Sequence, residues 1–536
     1  MYKIIFLSLC FVSVTIFAQQ KPKLVVAVVV DQMKFEYLDR FGSDFSENGF
    51  KKLIKKGFSF NNMHYNYVPT YTAPGHAAIF TGATPAINGI IGNDWFSKAT
   101  LKEVYCTEDS SVSTLGNGTE NEGKMSPRNL QATTITDELK LATNFKGKVI
   151  GISLKDRGAI LPAGHFADWA FWYSTSGSFI SSTFYSNNLP SWVSSFNDEK
   201  NYLKYLEKGW ELLKPKDVYN ESLTDNNPYE GKLFKKIPFF PYNLKEMYQN
   251  NNAGVLQSTP YGNNLLLDFA KKAIQHEALG KDEITDFLSI SFSSTDYIGH
   301  VLGPRSIELQ DTYLRLDETI AHLIDYLDKQ VGKNKYLLML TSDHGGAENV
   351  TYLKDNKYAV TNLNNKTIKN ALIEFSKTTY GENFVLDYSN YNLFFDRELI
   401  KQKGLNLNTV KSDFSSFLYQ QNFVKQVYTE EQILSASTKD GFLSFIVNGY
   451  DPIQNGELVV LYKPGYVEYS TTGTTHSSPY TYDTHVPLIF YGCNIRKGTS
   501  FDRKVITQIA PTLSKLLNIT YPNGTQAELL MELFDK

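Results

Sequence analysis

The chain has 536 residues, a formal net charge of −3, 42% hydrophobic and 14% aromatic residues. That length supports a large buried core, and so neutral a charge argues against a nucleic-acid partner. No fixed-period repeat stands out, which sets solenoids and propellers aside, and three cysteines are too few for a disulfide framework.

Residues 1–18 read as a removed secretory signal. Lys3 is the charged flank, Ile4 to Phe17 is an apolar run too short for a comfortable membrane span, and Ala18 is a small residue before Gln19. Cys10 follows Leu9, where a lipoprotein signal would want a small residue, so no lipid anchor is expected. The expectation is a periplasmic or secreted monomer with a catalytic domain over 22–536. Cys106 and Cys493 remain after cleavage. They could pair in an oxidising compartment, and two unpaired residues is the default reading.

In chain order, Lys23 to Val30 is a continuous, largely β-branched run ending at Asp31. Such runs make strands buried on both faces, as in a parallel sheet covered by helices. The pattern recurs at Lys148–Ser153, Phe287–Phe292, Tyr336–Leu340 and Val486–Tyr491. Helical patterns lie between them. In the clearest, Ser306 to Gln330, one apolar face carries Tyr313, Leu316, Ile320, Leu323, Ile324 and Leu327. The alternation predicts an α/β fold with a mostly parallel central sheet sandwiched by helices. Two stretches break the rhythm and read as inserted cap subdomains. One, about 163–261, is rich in Tyr, Phe, Trp, Ser, Asn and Pro; the other, about 353–456, mixes short helices with strand-like pieces such as Phe442–Val447.

Ligands of such sheets collect beyond the carboxyl ends of the strands. Asp31 closes the first strand, Asp296-x-x-x-His300 follows the strand at 287–292, and Asp343-His344-Gly345-Gly346 follows that at 336–340. Gly473-Thr474-Thr475-His476 precedes the last strand. Three carboxylates and three imidazoles without a cysteine suit catalytic rather than structural zinc. If a helix begins there, the i, i+4 spacing puts Asp296 and His300 on one face. Thr72, in Tyr71-Thr72-Ala73-Pro74-Gly75-His76, is a good N-cap type, and Pro74 suits a first helical turn. Taken alone the motif reads first as an ordinary capped helix; read as a hydroxyl nucleophile, Thr72 would sit at a helix mouth with free N–H groups and a positive dipole end beneath it. Lys155 and Arg157, just after the strand at 148–153, offer a point charge and a planar fork to an anion.

Asp31, Thr72-Ala73-Pro74-Gly75-His76, Asp296-x-x-x-His300, Asp343-His344-Gly345 and Thr475-His476 resemble, in order, the metal signature of the alkaline phosphatase superfamily. The resemblance falls in the branch that also holds nucleotide pyrophosphatase/phosphodiesterases. With Gly92-Asn93-Asp94-Trp95 and Leu154-Lys155-Asp156-Arg157-Gly158, the chain resembles the PafA-type secreted alkaline phosphatases over most of its length. That resemblance implies a phosphomonoesterase acting on small phosphate monoesters, in which Thr72 attacks in line through a phosphothreonine intermediate. It implies two zinc ions, one held by Asp31, Thr72, Asp343 and His344, the other by Asp296, His300 and His476. Asn93, Lys155 and Arg157 would grip the phosphoryl group. His485 is a rival to His476, and Ser477 stands where glycine is usual. His76 is expected to support the helix by packing or hydrogen bonding, and His64, His165, His276 and His322 to be surface or core residues. Two alternatives stay open: a phosphodiesterase or nucleotide pyrophosphatase with the same metals, and an exported binding protein with a vestigial site.

Overall fold

All seven residues of the Leu24–Val30 strand are fully buried, and strand alternation divides them between two cores. Leu24, Val26, Val28 and Val30 face one, together with the Pro260–His276 and Ile307–Leu327 helices. Val25, Ala27 and Val29 face the other, with the Thr72–Thr81, Ile135–Ala142 and Ile509–Leu517 helices. Each large side chain so buried contributes roughly 1.5–3 kcal/mol, and a charge at Val26 would find no water. The computed structural model describes residues 21–235, 238–436 and 441–534; the expected signal at 1–18 lies outside them.

The strand belongs to an eleven-stranded sheet. Its centre is parallel, in the order Tyr336–Thr341, Leu24–Val30, Asp286–Phe292, Val149–Ser153 and Trp169–Tyr173. Register aligns the carboxyl ends: Val29 lies opposite Thr341 and Ser291, and Ser291 opposite Ser153. Two residues beyond these positions stand Asp31, Asp343, Ser293 and Lys155. The sheet thus brings residues far apart in sequence to one edge.

Three expectations meet a different structure. The His485–Gly492 strand forms, but antiparallel to Tyr336–Thr341, because hydrophobic periodicity carries no direction. The 163–261 stretch opens with two strands of the main sheet, Trp169–Tyr173 and Phe179–Ser182, before its helices. Their aromatic side chains fill the sheet flank: Phe171 and Phe179 both pack on Phe269. Phe442–Val447 belongs to the Gly441–Gly449 helix, with Ile446 packed near Val68, Ile433 and Val459. A six-residue apolar run does not specify a period.

Within 353–456 and just beyond, the strands Val385–Ser389, Asn392–Phe395, Leu458–Tyr462 and Val424–Thr429 form a second sheet. It has a core of its own with the Asn365–Tyr380 and Leu407–Tyr419 helices. Cys106 and Cys493 are both buried and share no disulfide. Among the described residues, no helix is long and apolar enough to cross a membrane.

Candidate active site

The Thr72–Thr81 helix is buried at every residue. Thr72 is its first residue rather than its cap: Tyr71 takes the cap position, extended, and no side chain caps the helix. The Thr72 hydroxyl instead lies 3.4 Å from His344 Nε2. Nor is the helix end an open rack of donors. The Ala73 N–H donates to Asn93 Oδ1 at 2.9 Å, the Gly75 N–H donates to Tyr71 O at 2.9 Å, and Pro74 has none. Gly75 is required by close approach, since a Cβ there would stand 2.2 Å from the Asp343 carbonyl oxygen. His76 is buried beneath, donating from Nδ1 to Thr72 O at 2.8 Å, with Nε2 2.9 Å from Ser291 Oγ.

The expected ligands gather in two abutting groups. Asp31, Asp343 and His344 form one, and Asp296, His344 and His476 the other. The Ser294–Leu302 helix carries Asp296 and His300 on one face, with His300 Nε2 3.1 Å from Asp296 Oδ1. His476 Nε2 lies 3.8 Å from the same oxygen. The His344 and His476 rings stack at 3.5 Å, so His344 touches both groups. His485 is elsewhere, stacked between Phe35 and His64 with Nε2 on Asn61 O. His165 pairs with Asp137 and His276 stacks on Trp192, away from the ligands.

The chemistry of this donor set fits a divalent metal. Each imidazole commits Nδ1–H to a backbone carbonyl: His300 to Thr474 O at 2.8 Å, His344 to Gly345 O at 2.8 Å, His476 to Thr70 O at 2.7 Å. A carbonyl only accepts, so the Nε2 lone pairs of His344 and His476 remain for a ligand, while His300 Nε2 faces Asp296, which raises the His300 pKa against the effect of burial. Burial pushes His344 down to about 3 and His476 well below its ordinary value, aided there by His344 and His300, which favours the neutral, metal-binding form. Asp31 Oδ1 and Asp343 Oδ2 are buried without a hydrogen-bond partner. Burial, then the charge of Asp296, raises Asp31; burial, then Asp31, holds Asp343 well above the carboxylate range. Lys155 offsets the charge of these two carboxylates only in part. For Asp296, burial acts upward, but His300 and Lys155 prevail and hold it well below the usual range.

Lys155 Nζ bridges the groups, 2.7 Å from Asp31 Oδ2 and 2.6 Å from Asp296 Oδ2, and lies 5.1 Å over the Tyr297 ring. Burial opposes its charge, but Asp296 and Asp31 raise its pKa. Arg157, in the first turn of the Asp156–Ala163 helix, donates from Nη1 to Tyr105 OH at 2.9 Å, and Tyr105 OH donates to Asp156 Oδ1 at 2.6 Å.

Sequence reasoning missed Tyr105 and Gln32. Gln32, at φ 61°, donates from Nε2 to Asp296 Oδ1 at 2.7 Å and from its backbone N–H to Asp343 Oδ1 at 3.2 Å, tying the two groups together. The trace it leaves in sequence is indirect. A Cβ at Gly299 would stand 2.1 Å from Gln32 Oε1, and one at Gly346 would stand 3.2 Å from Gln32 Cγ.

Comparison with known proteins agrees with this arrangement. A family model described as type I phosphodiesterase / nucleotide pyrophosphatase matches residues 25–486. The chain is 43% identical over 524 residues to alkaline phosphatase PafA of Elizabethkingia meningoseptica, covering 97% of this chain and 96% of that protein. It is 43% identical over 538 residues to a calcium-transporting ATPase of Myroides odoratus (98% of each). It is also 43% identical over 518 residues to alkaline phosphatase PhoV of Synechococcus elongatus (96% and 93%). A crystal structure of wild-type alkaline phosphatase PafA matches with a TM-score of 0.93, at 43% identity over 97% of this chain and 100% of that one. The chain therefore belongs to the type I phosphodiesterase/nucleotide pyrophosphatase family, as a hydrolase related to the alkaline phosphatases PafA and PhoV over nearly its full length.

Proposed function

We propose that the chain is a secreted, two-zinc alkaline phosphatase that hydrolyses small phosphate monoesters, with Thr72 attacking phosphorus in line to give a phosphothreonine intermediate. The observation that carries this reading is the Thr72 hydroxyl itself. It starts a buried helix, caps nothing, and lies 3.4 Å from the one imidazole that touches both ligand groups.

Asp31, Thr72, Asp343 and His344 would hold one ion, and Asp296, His300 and His476 the other. Bound there, zinc supplies Lewis acidity that favours the threonine alkoxide and offsets charge on the attacking and leaving oxygens. The protein does the rest. His76 fixes the Thr72 carbonyl and so the first helical turn. Asn93 has Oδ1 engaged by Ala73, which leaves Nδ2 to donate to a phosphoryl oxygen. Lys155 is a cation at the boundary of the two groups, and Arg157 is a fork held in place by Tyr105. A monoester dianion brings the extra charge that these two cations match, whereas a diester has a second substituent in the same space.

The test compares p-nitrophenyl phosphate with bis(p-nitrophenyl) phosphate. Lys155→Ala with Arg157→Ala should lower kcat/KM for the monoester about a hundredfold or more, and for the diester less than about tenfold. Equal losses, or a wild type that prefers the diester, would turn the reading to a phosphodiesterase. Metal analysis should find about two zinc ions per chain, removed by EDTA together with phosphate release and restored by zinc.

A further inference from the structure

The second sheet reaches the active site through a hairpin. Its strands Val385–Ser389 and Asn392–Phe395 are joined by Asn390 and Tyr391, both at positive φ (48° and 67°). Two-residue turns of this geometry favour Asn-Gly, and a tyrosine in the second position is strained. Its side chain gives the reason. Tyr391 OH lies 2.5 Å from Ser477 Oγ, and Asn390 Nδ2 donates to the Asp94 carbonyl at 2.6 Å.

Both contacts fall one residue from the chemistry. Ser477 follows His476 and sits at φ 150°, a backbone region that belongs to glycine. Its carbonyl accepts from the Thr70 N–H at 3.1 Å, and its N–H donates to Asp483 Oδ2 at 3.1 Å. Thr70 in turn accepts from His476 Nδ1 and stands two residues before Thr72. The conformation of Ser477 therefore sets the His476 ring and the approach to the nucleophile. On the other side, Asp94 follows Asn93, and a Cβ at Gly92 would stand 2.9 Å from Asn390 Nδ2. That Cβ would stand closer still, 2.6 Å, to the Asp94 carbonyl oxygen, so Gly92 leaves room for both partners of this hydrogen bond. The tip is anchored behind: the Tyr391 ring meets Tyr462 edge-on at 4.9 Å, and Tyr391 O accepts from the Val460 N–H at 2.8 Å.

We infer that the Asn390–Tyr391 tip is a positioning element, with Tyr391 holding the His476 loop through Ser477 and Asn390 holding the Asn93 loop through Asp94. The inserted sheet then sets the spacing between a metal ligand and a phosphoryl-binding amide without touching substrate. What those two residues do rests on the two-zinc phosphatase reading.

Tyr391→Phe keeps the ring and removes only the hydroxyl. In the full chain it should speed zinc loss to EDTA about tenfold, read by metal analysis, as expected when a partner behind a metal ligand is removed. Adding Ser477→Gly should restore zinc retention, because glycine holds that backbone unaided. Asn390→Ala should instead raise the Ki of inorganic phosphate about tenfold and leave zinc retention unchanged. Wild-type zinc retention in Tyr391→Phe, or no rescue by Ser477→Gly, overturns the role of Tyr391. An unchanged phosphate Ki overturns that of Asn390. A wild type that holds zinc while both variants behave like it defeats this inference alone; a wild type without zinc defeats the phosphatase reading with it.

Discussion

The parallel strands and the inserted sheet serve the same site in different ways. The parallel strands are buried on both faces, and their aligned register delivers Asp31, Asp343 and Lys155 to one edge within two residues of a strand end. The inserted sheet has a separate core, built on Phe395, Phe414, Val460 and their neighbours, and reaches the site through a turn. Charged groups of the site sit at the strand ends of the main sheet, while the loops carrying Asn93 and His476 are met by the turn of the inserted sheet.

The sharpest way to separate the two is to remove the proposed nucleophile. Thr72→Ala should lower kcat/KM for p-nitrophenyl phosphate by at least about a thousandfold while Tm moves by no more than about 2 °C. Unchanged activity would sink the assignment. Next in size is Phe414→Ala, which hollows the inserted core at a fully buried position and should cost about 3–5 kcal/mol. Because the cores are separate, limited proteolysis should open new cuts between 363 and 462 and leave 22–350 protected. A single cooperative transition with the wild-type cutting pattern would break the comparison.

The same contrast governs what the sequence makes legible. A run such as Leu24–Val30 declares itself because both faces are apolar, and its polar terminus is then conspicuous. Asp296 and His300 declare a shared helical face by their spacing. Direction and partner choice are not written locally. His485–Gly492 reads like the parallel strands yet runs antiparallel, and Trp169–Tyr173 reads as aromatic cap material yet lengthens the sheet. Thr72 has the composition of a cap, and only the position of His344 shows that its hydroxyl faces elsewhere. Gln32, Tyr105 and Tyr391 act on residues 264, 52 and 86 positions away, through single polar contacts that leave no periodic pattern. Gln32 does leave a trace in two glycines, Gly299 and Gly346, whose missing side chains make room for it.

The smallest expected effect concerns the 163–261 stretch, where the contrast can be tested by pH. Glu230 is 7% exposed; burial, then the charge of Glu308, pushes its carboxyl up to about 9 from an ordinary 4.5. Asn227 Nδ2 donates to Glu230 Oε1 at 2.6 Å, and Tyr242 OH donates to Glu308 Oε1 at 2.6 Å. Burial raises Glu308 as well, to about 7. Between pH 4.5 and 9 the folded chain keeps a proton on Glu230 that the unfolded chain has released, so stability falls as pH rises across that window. The contribution is complete below about 4.5 and gone by about 9. Glu230→Gln keeps the shape and removes the titration, so its Tm should gain on the wild type by a few degrees between pH 6 and pH 9. Parallel curves would mean that Glu230 is ionised in the folded chain. Activity should change less than about twofold, because Glu230 is no part of the ligand set. A larger loss would instead link this loop to His476 through the Gly473 N–H, which donates to Tyr229 O at 2.9 Å, and would make the 163–261 stretch a third contributor to the site.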